Sequence, residues 1–275
     1  MGVVRGVVTE VRQIGPRIRR VVFEVPEIAA LGLPEVGDAA VGIYFPLLGP
    51  ADPDAETDGR NYTVRHADGR YLTCDFVLHE TGMATSWARR ATPGQRVKLD
   101  HARSWYRPAP AGVWQLLVAD LSGLPALARI LEELPQGAAA TAIVEVAGEE
   151  DLAYLPARPD IPRIVTLGSG NGHEPSALPH LVRTYPHPEG RGYCWFAGEA
   201  QATRVVRKHL RGECGWVADQ YDIVGYWRFD SETWDRRYAA VSAEVEATYE
   251  RALAAGKSPK IAAEEYDLAL ERAGL

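Results

Sequence analysis

Trp114-Gln115-Leu116-Leu117-Val118-Ala119-Asp120-Leu121-Ser122-Gly123-Leu124-Pro125 reads as a strand, a turn and the start of a helix that continues to about residue 134. The same rhythm recurs to the end of the third quarter of the chain. Strands are expected at 140–146, 164–167, 193–197 and 220–227, and helices at 175–182 and 200–210. Strands alternating with helices predict a Rossmann-like parallel sheet with helices on its faces. Ligands of such sheets bind beyond the carboxyl ends of the strands, which directs attention to the turn at Asp120. That turn lacks G-x-G-x-x-G. Gly168-Ser169-Gly170-Asn171-Gly172 is a second glycine-rich turn between a strand and a helix, and it suits a phosphate cradle and a plain turn equally.

Upstream of Trp114 the pattern is different. Residues 3–11 and 17–25 are rich in Val and Ile, alternate in part, and are separated by Gly15-Pro16, which predicts a hairpin. Further short strands are expected at 42–46, 62–66, 70–78 and 95–99, with turns at Ala51-Asp52-Pro53-Asp54 and Asp68-Gly69. A single helix at 84–91 is stopped by Thr92-Pro93-Gly94. Six short strands at this spacing predict a six-stranded antiparallel β-barrel. The Pro-rich stretch Arg107-Pro108-Ala109-Pro110-Ala111-Gly112 marks the expected boundary, giving domains 1–110 and 111–275. The last forty residues, from about 232, are rich in Ala, Glu and Arg and read as two helices broken at 256–259, packed on the second domain or forming an interface.

The totals narrow the function. A chain of 275 residues suits two ordinary cores, and 46% hydrophobic with 24% charged residues is a globular composition. A net charge of -7 argues against nucleic acid as partner. No stretch approaches about 18 apolar residues, so no membrane span is expected. Cys74, Cys194 and Cys214 are dispersed, which suits a reducing cytoplasm better than a disulfide framework or a zinc site. The seven histidines show no metal-ligand spacing. Neither G-x-S-x-G nor G-x-x-x-x-G-K-[ST] occurs.

Two stretches carry site chemistry. In Arg60-Asn61-Tyr62-Thr63-Val64-Arg65 an arginine can pair with phosphate, a tyrosine can stack on a flat ring, and a threonine can hydrogen-bond a ring nitrogen. The turn around Gly82-Met83-Ala84-Thr85-Ser86-Trp87 opens a helix, whose free N–H groups attract anions. Each stretch taken alone reads as well as a polar strand edge or an ordinary helix start.

Together these residues resemble the siderophore-interacting protein family, a branch of the ferredoxin-NADP reductase-like flavoproteins that reduces iron in ferric siderophores. Residues 60–65 resemble the family's R-x-Y-T-x-R motif. Asp75-Phe76-Val77-Leu78-His79, followed by Gly82, Ala84 and Ser86-Trp87-Ala88, resembles its D-x-V-L-H...G-x-A-x-x-W-A segment. Residues 116–134 resemble its L-L-x-x-D-x-T-A-L-P-A-I-x-R-x-L-E segment, and Trp195-Phe196-Ala197-Gly198-Glu199 and Gly225-Tyr226-Trp227-Arg228 resemble W-x-A-G-E and G-Y-W-R. Two departures stand out: His101-Ala102-Arg103-Ser104 replaces the family's Gly-Pro-Arg-Gly turn, and Ser122-Gly123 replaces its Thr-Ala.

The resemblance implies FAD held by Arg60, Tyr62, Thr63, Val64, Asp75, Val77, His79, Gly82, Ala84, Thr85, Ser86 and Trp87, with Asp120, Ser122, Glu199 and Trp227 touching flavin or NAD(P)H. It implies an oxidoreductase passing electrons from NADPH or NADH, or from ferredoxin, through FAD to a ferric siderophore, with no protein acid or base required. Anionic substrates call for cations beside the flavin, and Arg65, Arg103 and Arg228 are the candidates, although surface pairing suits each as well. A general NAD(P)H:flavin reductase and a non-catalytic ferric-siderophore carrier are the alternatives. A cytoplasmic monomer or weak dimer is expected.

Overall fold

The computed structural model describes residues 3–45, 59–79 and 82–275, and leaves undescribed the side chains of Ser231 and Glu232. The expected turn at 51–54, and residue 46 of an expected strand, lie outside the described residues. Six strands close a barrel: β1 (Val4–Gln13), β2 (Ile18–Glu24), β3 (Ala40–Tyr44), β4 (Arg60–Asp68), β5 (Tyr71–Val77) and β6 (Arg96–Arg103), with α1 (Met83–Arg90) between the last two. The order around the barrel is β1-β2-β5-β4-β3-β6, and every pairing is antiparallel. The β1–β2 hairpin turns where Gly15-Pro16 stands, and Asp68-Gly69 turns β4 into β5.

Alternation along these strands sends Val8, Val21, Phe23, Ile43, Leu72, Cys74, Phe76 and Leu99 inward, where Phe45 and Trp87 complete the barrel core. Trp87 is nearly inaccessible. Its ring lies 4.6 Å from that of Phe45, 5.5 Å from Phe76 and 6.2 Å from Phe23, so α1 plugs the barrel with an aromatic side chain.

The second half builds a five-stranded, all-parallel sheet from β7 (Trp114–Ala119), β8 (Ala140–Val146), β9 (Arg163–Leu167), β10 (Gly192–Glu199) and β11 (Tyr221–Trp227), in the order β11-β10-β7-β8-β9. Helices α2 (Leu124–Glu133), α3 (Leu178–Thr184) and α4 (Ala200–Lys208) cover it, and α4 runs on into a π-helical turn, His209–Glu213.

The C-terminal stretch holds three helices where two were expected: α5 (Ser231–Ala239), α6 (Ser242–Ala254) and α7 (Pro259–Arg272). The additional break falls at Ala240-Val241. There Val241 turns inward to pack with Trp234, Tyr238, Val245 and Leu270, an apolar contact that a continuous helix has no reason to make. Polar anchors fix α7 to the edge strand and to α4. Lys260 pairs with Asp222 at 2.9 Å, Glu264 accepts from the Tyr221 hydroxyl at 2.9 Å and Arg211 at 2.7 Å, and Arg207 meets Asp267.

Barrel and sheet meet tightly. Gly37 lies flush on α2, where an added Cβ would stand 2.8 Å from the Ile130 backbone. The buried Asp38 carboxylate then accepts from Trp105 N at 3.0 Å, Tyr106 N at 2.7 Å and Trp195 Nε1 at 3.2 Å. Nearby, Arg129 of α2 donates to the Val64 carbonyl at 2.9 Å. Strand β4, which carries the Arg60–Thr63 stretch, is thus tied to the sheet's first helix.

Candidate functional site

On β4, Arg60 is exposed, and its guanidinium donates to the carbonyl of its own neighbour Gly59. Tyr62 is half-buried, with its ring 4.2 Å from that of Phe76 and 6.1 Å from Phe45, so the barrel core forms a floor beneath it. Burial raises its phenol well above the ordinary range. Thr63 and Val64 are buried.

Helix α1 starts at Gly82, whose φ of 120° lies in the region that favours glycine, and among the described residues no side chain caps the helix there. Its first-turn N–H groups are therefore available to an anion. Thr85 accepts from His79 N at 3.3 Å, which fastens the end of β5 to the helix, while Ala84 is buried and Ser86 half-buried.

On the sheet side, Asp120 directly follows β7. Its buried carboxylate accepts from Ser122 N at 2.8 Å, from the Ser122 hydroxyl, from Gly123 N at 3.3 Å and from Trp227 Nε1 at 2.6 Å. Burial pushes its pKa up to about 6, against the pull of the Ser122 and Trp227 bonds. The Trp227 ring in turn lies 6.0 Å from His79, tilted by 29°. Burial, with His173 nearby, lowers the His79 pKa and favours the neutral imidazole. The fold thus joins His79 of the barrel to Asp120, Ser122 and Trp227 of the sheet.

Other expected residues lie in different settings. Asp75 is buried, with both oxygens 2.7 Å from Arg20 and one also accepting from Tyr154. Val77 packs into the core beneath the sheet, and Trp87 into the barrel core. Arg65 makes a two-pronged pair with Glu132 of α2. Arg103 donates to the His101 carbonyl, and Arg228 lies 4.1 Å over the Trp234 ring. Glu199 caps α4 through Gln201 N and Ala202 N. None of these contacts joins any of the seven to the His79–Trp227 group.

The glycine-rich turn at 168–172 wraps a carboxylate. Glu145, fully buried at the end of β8, accepts from Ser169 at 2.9 Å, Ser176 at 2.8 Å and Ala177 N at 2.7 Å, and a Cβ at Gly170 would collide with it. Asn171 holds the turn to the segment just after β7 by accepting from Leu121 N at 2.9 Å. Sequence reasoning missed Asp38 and Glu145. A lone glutamate in the apolar run 140–146 is the signal that points to Glu145, since a charge in a covered strand needs partners.

A closed antiparallel barrel set against a five-stranded parallel sheet is the ferredoxin-reductase-like fold. A Neisseria gonorrhoeae ferredoxin NADP+ reductase with bound FAD and NADP shares this fold at a TM-score of 0.62, with 15% identity over 82% of this chain and 100% of that one. Within the class, residues 7–103 match the siderophore-interacting FAD-binding domain and residues 113–230 match the siderophore-interacting protein model, and the chain belongs to that family. A siderophore utilization protein from T. fusca is similar at a TM-score of 0.70 and 31% identity, covering 82% of this chain and 93% of that one. An Escherichia coli NADPH-dependent ferric-chelate reductase is 29% identical over 198 residues, 68% of this chain and 70% of the relative.

Proposed function

We propose that this protein is an FAD-dependent ferric-siderophore reductase that draws electrons from a nicotinamide donor or reduced ferredoxin, and that it works in the cytoplasm as two domains, 1–110 and 111–275. The observation that carries the reading is the junction itself. The ring platform of Tyr62, the Arg60 guanidinium and the uncapped start of α1 share the barrel, and the carboxyl end of β7 meets it through Trp227 and His79.

This donor set fits a flavin dinucleotide: a cation and free N–H groups for a pyrophosphate, an aromatic face for a ring, and a hydroxyl at Thr63 for a ring heteroatom. Bound FAD supplies two-electron uptake and single-electron release, the chemistry that links a hydride donor to Fe(III). Tyr62, backed by Phe76, would support the ring, and neutral His79 with Trp227 would stand at its side of the junction. Asp120 fixes Trp227 by its indole N–H. The ferric siderophore is substrate, and reduction loosens hard oxygen ligands from the iron. Among the described residues no helix is long and apolar enough to cross a membrane.

The test is a yellow protein, or one that takes up added FAD, whose flavin is bleached by NADH, NADPH or reduced ferredoxin and which then forms ferrous–ferrozine steadily from a ferric siderophore. Bleaching without ferrous product favours the general flavin reductase. Binding of the siderophore with no electron transfer from any donor favours the carrier. Replacing Arg60 by alanine is expected to raise the FAD Kd about tenfold, the scale of one charge-assisted phosphate contact, as read by flavin fluorescence titration.

The turn at 168–177 bears on the donor. It lies beyond the carboxyl end of β9, the side of such a sheet that takes ligands, and read as the ribose end of a dinucleotide site it would need a cation to select NADP. The segment contains no lysine or arginine, and its polar groups already surround Glu145. NADH is therefore expected to reduce the flavin with a kcat/KM about tenfold above that of NADPH in stopped-flow mixing. Equal constants would remove this reading.

A further inference from the structure

Of the three cysteines, Cys74 and Cys194 are fully buried, whereas Cys214 is partly exposed. Cys214 closes the π-helical turn His209–Glu213 at the end of α4, where its N–H donates to the His209 carbonyl at 3.1 Å. In an α-helix, residues five apart point about 140° away from each other, because one turn takes about 3.6 residues. The wider π-turn stacks residue 214 over residue 209 instead, and such turns recur at functional positions. The Cys214 sulfur consequently lies 3.4 Å from His209 Nε2, while the other ring nitrogen, Nδ1, lies 2.9 Å from a Glu213 carboxylate oxygen.

These distances order the protons. Glu213 is held below the ordinary range chiefly by its bond to His209, so it is ionised and accepts from Nδ1–H. In the neutral ring, Nε2 then carries the lone pair that faces the thiol. Burial pushes the Cys214 thiol up, and Glu213 adds to the shift, so the sulfur rests as S–H and needs a base to react. Arg183 of α3 pairs with the second Glu213 oxygen at 2.8 Å, and His187 is the other titratable group facing the imidazole. Gly212 and Gly215 flank the sulfur in sequence, and an added Cβ at either would meet nothing within 4 Å, so the turn is not packed in on those sides.

We infer that Cys214, His209 and Glu213 form a reactive thiol site for hydroperoxides, with nucleophile, base and orienting carboxylate in series. The site is separate from the flavin junction. Helix α4 leaves the carboxyl end of β10 and runs back along the sheet, and Trp216, just past the turn, lies 5.6 Å from Trp114 at the start of β7, the opposite rim from Asp120. The sulfur packs beside Trp216 and Leu210 with only part of its surface open, which admits a small neutral oxidant such as hydrogen peroxide more readily than a peptide disulfide. In the reaction His209 Nε2 takes the thiol proton as sulfur attacks one peroxide oxygen. The S–O bond forms as the O–O bond breaks, and the departing hydroxide takes the proton from Nε2 and leaves as water. Sulfur is oxidised by two electrons to a sulfenic acid, and the peroxide is reduced.

The experiment treats the reduced protein with hydrogen peroxide and dimedone and maps the sulfenic-acid adduct by peptide mass, with or without bound FAD. The adduct is expected on Cys214, with Cys74 and Cys194 unlabelled. His209→Gln is expected to slow its formation at pH 7 at least about tenfold, below the usual contribution of a positioned base because the small thiolate fraction also reacts. Glu213→Gln, at a half-exposed position that the fold tolerates, is expected to slow it about threefold and carries the test if His209→Gln does not fold. Between pH 7 and about pH 9 the rate should climb more steeply in His209→Gln than in the wild type, because only the variant depends on free thiolate, a difference that a structural role for His209 does not produce. Equal rates and parallel pH profiles in the wild type and the variants overturn the inference, and so does a folded wild type whose Cys214 yields no adduct.

Discussion

Replacing Asp38 by alanine is expected to cost about 3–5 kcal/mol of unfolding free energy and to weaken FAD binding with it. The carboxylate is fully buried and is the shared acceptor of Trp105 N, Tyr106 N and Trp195 Nε1, three donors drawn from the connecting segment and from β10. Alanine leaves all three without an acceptor, and each unpaired buried donor costs about 1–3 kcal/mol, less than additively. Burial raises the pKa of Asp38 more than these bonds lower it, so its charge is itself held at a cost. Asparagine keeps an oxygen acceptor without the charge and is expected to lose only about 1–2 kcal/mol. Urea unfolding of the three proteins tests the ordering. An alanine variant as stable as asparagine would mean that water replaces the carboxylate. The loss should reach the flavin because the same turn leads into β3, whose Ala40 and Val41 pair with Thr63 and Tyr62.

Much of this was legible from the sequence, and the reasons differ by element. Hydrophobic rhythm located all eleven strands, since period-two runs in the barrel and strand-helix alternation in the sheet are local signals. The edges drifted where partners decide them: β6 was expected at 95–99, yet it extends to Arg103 because β3 lies alongside to accept the ladder. Tyr62, Thr63, His79, Asp120 and Trp227 were legible as candidates through motif resemblance. Their meeting was not, because His79 and Trp227 are separated by most of the chain and are joined only by the docking of barrel on sheet. Asp38 escaped notice for the same reason. An aspartate after a glycine is an ordinary turn in sequence, and only its three distant donors distinguish it. Asp75 illustrates the opposite limit, since nothing local announces that Arg20 and Tyr154 will share its carboxylate.

Asp120 is expected to make the stability of the protein fall as pH rises from about 4 to about 6. Its pKa is 3.8 in the ordinary state and about 6 in the fold, with burial as the main cause. The folded form therefore keeps a proton over an interval in which the unfolded chain has released it. The stabilising contribution is complete below the unfolded pKa and is lost as pH climbs through the folded one. A shift of this size corresponds to about 3 kcal/mol. Other carboxylates act in the reverse sense: Arg17 holds Glu150, and His209 holds Glu213, below the ordinary range, and these lose stabilisation as pH falls. The wild type alone thus reports a mixture, and Asp120→Asn is the necessary comparison. Asparagine can still accept from Trp227 but does not titrate, so the difference in unfolding free energy between the two proteins should change by about 2–3 kcal/mol between pH 4 and pH 7, to the variant's advantage at the higher pH. Parallel curves would show that the carboxylate is solvated in solution. At neutral pH the wild type holds a buried charge against the Trp227 indole at an energetic cost. If, as proposed above, a nicotinamide gives up hydride beside this carboxylate, Asp120→Asn should slow flavin reduction by the nicotinamide donor at pH 7 even as it stabilises the fold.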